Sequence, residues 1–220
     1  MSGGAPIAAV LFDKDGTLFD FNATWAAWAA GMLEALAGGD AGLAARLAEA
    51  IGFDPQGPAF RAGSVVIAGT VAEVAARLVP HLPGRDAAGL IAELDAAAAV
   101  APQVAAVPLE ACLGGLRARG LRLGVATNDS EASARAHLTQ AGVLAQFEFI
   151  AGYDSGHGAK PGPGQLLAFA AALGVAPGAV AMVGDSLHDL RAARAAGMRA
   201  VAVLSGPAGA EVLGPAADVV

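Results

Sequence analysis

The sequence predicts an α/β fold, a doubly wound parallel sheet with a helical segment inserted after its first strand. Three observations predict it. Residues 7–12 are apolar throughout, as expected of a strand covered on both faces. From Pro102 onward, apolar runs of strand length alternate with helical patterns, which implies parallel strands joined by right-handed crossovers. Between these regions, residues 20–101 read as helices broken by Gly and Pro, with no strand-turn-strand pattern. The expected division is a core of residues 1–19 and 102–220 with an insert of residues 20–101.

Taken in order, the first strand ends in Asp13-Lys-Asp-Gly-Thr17. Asp20 or Asn22 caps a helix over 23–36, with Trp25, Trp28 and Met32 at helical spacing and Gly38-Gly39 as its stop. Helices over 41–51, 71–79 and 86–100 follow, separated by the Pro/Gly breaks at 55–58 and 80–84; residues 64–68 read as a short extended piece. The second half begins with a helix over 109–119, ended by Gly120, and a strand over 121–126 that stops at Thr127-Asn128-Asp129. Ser130 caps a helix running to Gly142, and a strand over 147–151 leads into a glycine-rich loop carrying Lys160. A helix over 164–173 precedes a strand over 180–183, which breaks at Gly184-Asp185. The last elements are a helix over 189–196, a strand over 199–204 and a possible short strand at 219–220.

Composition narrows the function classes. The chain has 220 residues and is 55% hydrophobic, yet its longest apolar runs, such as 166–173, fall far short of the ~20 residues that span a bilayer. A formal charge of −7 and the lack of any basic cluster argue against nucleic-acid and anionic-membrane partners, so a small substrate is expected. The N-terminal residues carry no basic region ahead of the first apolar run, which reads as a cytoplasmic protein. The single Cys112 excludes an intrachain disulfide and, beside Leu113, reads as core packing. The oligomeric state is left open.

Chemistry concentrates at the strand ends. Asp13 and Asp15, two apart in extended backbone, point to one side, and Gly16 permits a sharp turn. Two carboxylates brought together repel unless a cation or a shared proton relieves them. The pattern fits a divalent metal with a carboxylate nucleophile or general acid, or else an ordinary Asp-Gly turn. Thr127 and Asn128, then Asp185 and Asp189, end two further strands, with Lys160 on a neighbouring loop. In doubly wound sheets ligands bind beyond the carboxyl ends of the strands, so all four stretches aim at one crevice. Carboxylates with one hydroxyl, one lysine and glycine-flanked amides suit phosphoryl transfer, which needs positioning and charge stabilisation. Mg²⁺, held by a few carboxylate oxygens, is the cofactor such a set accommodates.

Asp13-Lys-Asp-Gly-Thr17, Val125-Ala-Thr-Asn128, Lys160-Pro161 and Gly184-Asp-Ser-Leu-His-Asp189 resemble the four ordered motifs of the haloacid dehalogenase-like hydrolase superfamily. The resemblance covers the whole chain, with 20–101 in the position of the helical cap of its phosphoglycolate phosphatase-like branch. It implies a Rossmann-like core, Asp13 as nucleophile, Asp15 as general acid and base, and Thr127 and Asn128 as phosphoryl binders. Lys160 would stabilise the phosphoryl group. Asp13, Asp15, Asp185 and Asp189 would form the Mg²⁺ site, Asp15 through its backbone carbonyl.

The same resemblance separates reactions. Dehalogenase members lack the second aspartate because a halide needs no proton; Asp15 favours a phosphatase, whose alkoxide leaving group needs one. Phosphonate-cleaving relatives use a cap lysine, and 20–101 has none. The expectation is a Mg²⁺-dependent phosphatase of a small phosphorylated metabolite, phosphoglycolate first by family. The alternatives are a phosphomutase, a receiver-type phospho-acceptor domain and a catalytically silent binding protein. Lys14 is expected to point away from its two neighbours and take no direct part. Trp25 and Trp28 read as insert core rather than as a substrate wall, and His157 and His188 as solvated loop residues.

Overall fold

A computed structural model of the chain describes residues 6–57 and 59–220. Residues 1–5, where the absence of a basic leader was read, and Pro58 at the end of one Pro/Gly break lie outside the described residues. Strand β1 (Ala9–Phe12) leads into helices α1 (Phe21–Ala37) and α2 (Ala41–Ile51). An antiparallel pair, β2 (Phe53–Asp54) and β3 (Ala59–Phe60), follows, then α3 (Val65–Ala68), α4 (Val71–Leu78) and α5 (Ala87–Ala99). The chain continues through α6 (Leu109–Ala118), β4 (Arg122–Ala126), α7 (Glu131–Gln140), β5 (Phe149–Ala151) and α8 (Gly164–Leu173). It finishes with β6 (Val180–Gly184), α9 (Leu187–Ala196), β7 (Arg199–Ala202) and α10 (Ala210–Leu213).

Five of the strands form one parallel sheet in the order β5-β4-β1-β6-β7. The chain winds outward from β1 to β5 on one side and then crosses to β6 and β7 on the other, which makes the carboxyl end of β1 the switch point of the sheet. The period-2 alternation of β1 explains why both faces are covered. Ala9 and Leu11 face α8 and α9, packing with Phe169, Leu166 and Leu190, while Val10 and Phe12 face α6 and α7, packing with Leu113 and Leu138. The helices between β1 and α6 have a separate apolar core built on Leu33, Leu47, Ile51, Phe53, Leu78 and Leu90. Asp20, rather than Asn22, caps α1 by accepting a hydrogen bond from the Ala23 amide at 2.8 Å. Among the described residues no helix is long and apolar enough to cross a membrane.

Four local expectations are corrected. Phe53–Asp54 and Ala59–Phe60 pair as antiparallel strands beside what was expected to be only a break, because two-residue strands are too short to show periodicity. Residues 64–68 are a single helical turn rather than an extended piece, since the Ser64 hydroxyl accepts from the Val66 amide and caps it. Residues 219–220 form no strand; Val219 makes one isolated bridge to Val201. Cys112 is exposed rather than packed in the core, because the inward position on α6 is taken by the fully buried Leu113.

Gly124 marks a close approach of α8 to the sheet. A Cβ at this position in β4 would run into the ring of Phe169 and the side chain of Leu11, so the ring lies directly on the strand backbone. Gly124→Val is expected to destabilise the protein by about 1–3 kcal/mol, the usual cost of overpacking a filled core. The denaturant midpoint of the variant measures this. In the double variant with Phe169→Leu, part of the loss should be recovered, because the smaller side chain vacates the space the new methyls need.

Candidate active site

The site is assembled from three strand ends. The Asp13 amide donates to the Val183 carbonyl at 2.8 Å, which extends the β1–β6 ladder by one residue and holds Asp13 at the sheet edge. Gly16, at φ +79°, then turns the chain, and the Leu18 and Phe19 amides both return to the Lys14 carbonyl. Asp185 follows β6 and lies between Gly16 and Gly206; a Cβ at either glycine would occupy the space of its carboxylate. Asp189 is placed by the start of α9. Ser186 caps the helix and Asp189 reciprocates at its third position, accepting from the Ser186 amide at 3.1 Å and hydroxyl at 2.6 Å.

Lys160 joins these elements. Its ammonium donates to Asp13 Oδ1 and to Asp189 Oδ1, both at 2.6 Å, with all three side chains buried or nearly so. Asn128 fixes the loop that carries the lysine. Its side-chain oxygen accepts from the Lys160 amide at 2.8 Å, and its nitrogen donates to the carbonyls of Lys160 and Ala68, both at 2.8 Å. The expected phosphoryl binder therefore has its side chain engaged in positioning Lys160. Thr127, buried at the end of β4, accepts from the Asp129 amide at 3.1 Å through its hydroxyl oxygen.

Asp13, Asp185 and Asp189 each offer an oxygen within 4.8 Å of the others, which makes them a group able to hold a metal ion. Three carboxylates and one ammonium leave an excess of buried negative charge. Burial pushes Asp13 up to about 7 against the opposing pull of Lys160, with Asp189 and Asp15 adding to the rise. Burial, reinforced by Asp13 and Asp189, pushes Asp185 up to about 9. For Lys160, burial works against the charge, but Asp13 and Asp189 outweigh it and raise its pKa. The hard oxygen donors and the surplus negative charge both fit a divalent cation.

Asp15 is brought to the same cavity but its carboxylate is not one of the three. It is occupied by Lys14, whose ammonium lies 2.8 Å from each of its oxygens. This corrects the expectation for Lys14. The side chain does not point away from its neighbours; it is fully buried, folds back on Asp15, and also pairs with Asp129 at 3.1 Å. Lys14 donates further to His137 Nδ1 at 2.9 Å, which puts the ring proton on Nε2, facing the Ala98 carbonyl at 2.8 Å. Burial, then the Lys14 charge, lowers the pKa of His137, in keeping with a neutral ring.

The cavity in front of the carboxylates is lined by Asp13, Asp15, Thr127, Asn128 and Lys160 on the sheet side. Trp25 and Trp28 lie on its far wall with Phe21 and Asp95, so the tryptophans serve as wall as well as packing. His188 borders the cavity, whereas His157 is exposed on its loop. Sequence reasoning missed His137, Asp129 and Asp95. Each lies on or just before a helix of ordinary composition, and only their distant partners distinguish them.

Comparison with known proteins gives the family. The family model of the haloacid dehalogenase-like hydrolases matches residues 7–197. A phosphoglycolate phosphatase of Chromobacterium violaceum is 45% identical over 102 residues, 46% of this chain and 46% of that protein. The chain thus matches less than half the length of such curated relatives. Among solved structures, an HAD phosphatase of Thermococcus onnurineus aligns with a TM-score of 0.65 at 26% identity, over 97% of this chain and 92% of that one. A β-phosphoglucomutase of Clostridium difficile aligns with a TM-score of 0.69 at 20% identity, over 97% and 90%, and shares the fold. With the family model spanning residues 7–197 and so all four motif stretches, the chain belongs to the haloacid dehalogenase-like hydrolases.

Proposed function

We propose that the chain is a Mg²⁺-dependent phosphatase that hydrolyses a small phosphate monoester through an aspartyl-phosphate on Asp13. Residues 1–19 and 102–220 form the catalytic core in this reading, and 20–101 form a cap that selects the ester. The observation that carries it is the buried Lys160 ammonium shared between Asp13 and Asp189 at 2.6 Å, with Asp185 beside them at the switch point of the sheet. The curated relatives called phosphoglycolate phosphatase make phosphoglycolate the first ester to assay.

An Asp13 carboxylate oxygen attacks phosphorus and the bond from phosphorus to the ester oxygen breaks. Asp15 gives the departing alkoxide its proton, then takes a proton from the water that cleaves the acyl phosphate and restores Asp13. The products are the alcohol and inorganic phosphate. Lys160 and the Thr127 hydroxyl offset charge on the phosphoryl oxygens, while Asn128 holds the lysine loop in register. Asp13, Asp185 and Asp189 would hold Mg²⁺, with the backbone carbonyl of Asp15 expected from the family resemblance. The ion supplies charge neutralisation for carboxylate and phosphate oxygens.

Asp13→Asn is expected to bring phosphate release to the assay floor with every ester, and undiminished turnover would end the mechanism. Asp15→Asn should depend on the leaving group. Alkyl phosphates should lose about 10²–10⁴-fold in kcat/KM, the range of general acid catalysis, and 4-nitrophenyl phosphate, whose leaving group departs without a proton, much less. Steady-state kinetics on the two ester types measures the difference.

The raised pKa values give a third expectation. From about pH 4 up to the folded values of about 7 for Asp13 and about 9 for Asp185, the folded chain holds protons that the unfolded chain has released. Rising pH therefore favours unfolding of the metal-free protein. Thermal midpoints in EDTA should fall between about pH 5 and pH 9, and Mg²⁺ should raise the midpoint more at about pH 8 than at pH 5. An equal Mg²⁺ effect at both pH values would contradict the assignment.

A further inference from the structure

The wall facing the carboxylates carries a chemical signature of its own. It is built from Phe21, Trp25 and Trp28 of α1, from apolar residues of α3 and α4, and from Asp95 of α5. Apart from Lys160, which Asp13 and Asp189 engage, no lysine or arginine lines the cavity among the described residues. Lys14 lies behind Trp25, 5.3 Å from its ring centroid, and its charge is taken by Asp15 and Asp129. The four arginines between β1 and α6 are also absent from the lining.

Two residues of this wall, Asp95 and Trp28, each hold a buried polar atom without a partner. Asp95 donates nothing and accepts from the Tyr153 hydroxyl at 3.0 Å through one oxygen, while its Oδ1 is buried and unpaired. The Trp28 Nε1 donor is likewise buried and unpaired. A buried acceptor left open is costly unless a ligand satisfies it. Burial, with Asp129 and Asp154 nearby, raises the pKa of Asp95 against the Tyr153 hydrogen bond and the neighbouring Ser130 hydroxyl, which marks a place short of positive charge. A carboxylate on the ester would face an aromatic surface and an acidic side chain, with the His188 ring at the cavity border, and would lose its hydration with little return.

Resting on the phosphatase reading, we propose that the preferred ester has an apolar or aromatic leaving group carrying a hydrogen-bond donor, a hydroxyl or an ammonium, which Asp95 accepts. Esters with a carboxylate on the leaving group, phosphoglycolate included, are disfavoured at this wall. Trp25 and Trp28 cover the apolar body.

The test compares benzyl phosphates of matched size with the Mg²⁺-loaded full chain. The 4-hydroxymethyl and 4-aminomethyl esters are expected to exceed the 4-carboxy ester at least tenfold in kcat/KM, and Asp95→Asn is expected to collapse the preference for the ammonium toward unity. Because the preference is a ratio within one enzyme preparation, partial loss of folded protein does not mimic it. A 4-carboxy ester turned over as well as the other two, or a preference unchanged in Asp95→Asn, would overturn the proposal. Failure of all esters, with phosphoglycolate and 4-nitrophenyl phosphate also inert, would count against the phosphatase reading itself. Tryptophan fluorescence then decides the leaving-group class without turnover, since the only two tryptophans of the chain stand on the wall. The 4-aminomethyl and 4-hydroxymethyl benzyl alcohols should change the emission saturably and 4-(hydroxymethyl)benzoate should not; the reverse order, or no saturable change with any of them, overturns the inference.

Discussion

The Lys160 ammonium between Asp13 and Asp189 is the interaction on which the site depends. Both contacts are 2.6 Å, and the lysine is 5% exposed, so charges that water would otherwise solvate must solvate one another. One ammonium cannot balance Asp13, Asp185 and Asp189 together, which is why burial drives the first two toward their protonated forms. The arrangement stores an affinity for positive charge at the place where a phosphoryl group would bring negative charge and an ion to match it. Local architecture keeps the acids in place despite this repulsion. The cap of α9 holds Asp189, the glycines at 16 and 206 admit Asp185, and the β1–β6 ladder carries Asp13 to the edge.

A second buried charge ties the inserted helices to the sheet. Lys14 is completely enclosed and is satisfied by Asp15, Asp129 and His137, with Trp25 of α1 against its ammonium. Through His137 Nε2 the chain of contacts reaches the Ala98 carbonyl near the end of α5. Asn128 makes a parallel connection from the end of β4 to the Ala68 carbonyl at the end of α3. The turn after β1 thus meets the inserted helices through polar contacts, beside the place where Phe21 and Trp25 of α1 pack on Ala98 of α5. Breaking either partner of such a buried network leaves the other unpaired, which makes the placement of Asp15 sensitive to residues far from it in sequence.

The sheet and its acids were legible because both follow from local pattern. Uninterrupted apolarity over 7–12, alternation of strand and helix after Pro102, and glycine at helix ends determine the α/β class, and polar residues at the strand ends then fall at the switch point by topology alone. The four motif stretches needed only their order to be read as one site. Short-range pattern also has a limit, visible in the two-residue strands β2 and β3 and in the single turn α3, where too few residues carry any period.

What the sequence by itself determined was therefore the fold class, the insert and the convergence of Asp13, Asp185, Asp189 and Lys160. What only the tertiary structure decided was who meets whom. Lys14 folds back onto Asp15 because His137 and Asp129, far along the chain, close around it; Asn128 holds Lys160 and Ala68; Asp95 and Trp28 stand on the cavity wall with atoms unpaired. Periodicity reports which face of an element is buried, a property of neighbours three or four residues away. Hydrogen-bond partners, charge pairing and cavity walls arise from residues brought together across the fold, and these leave no trace in local spacing.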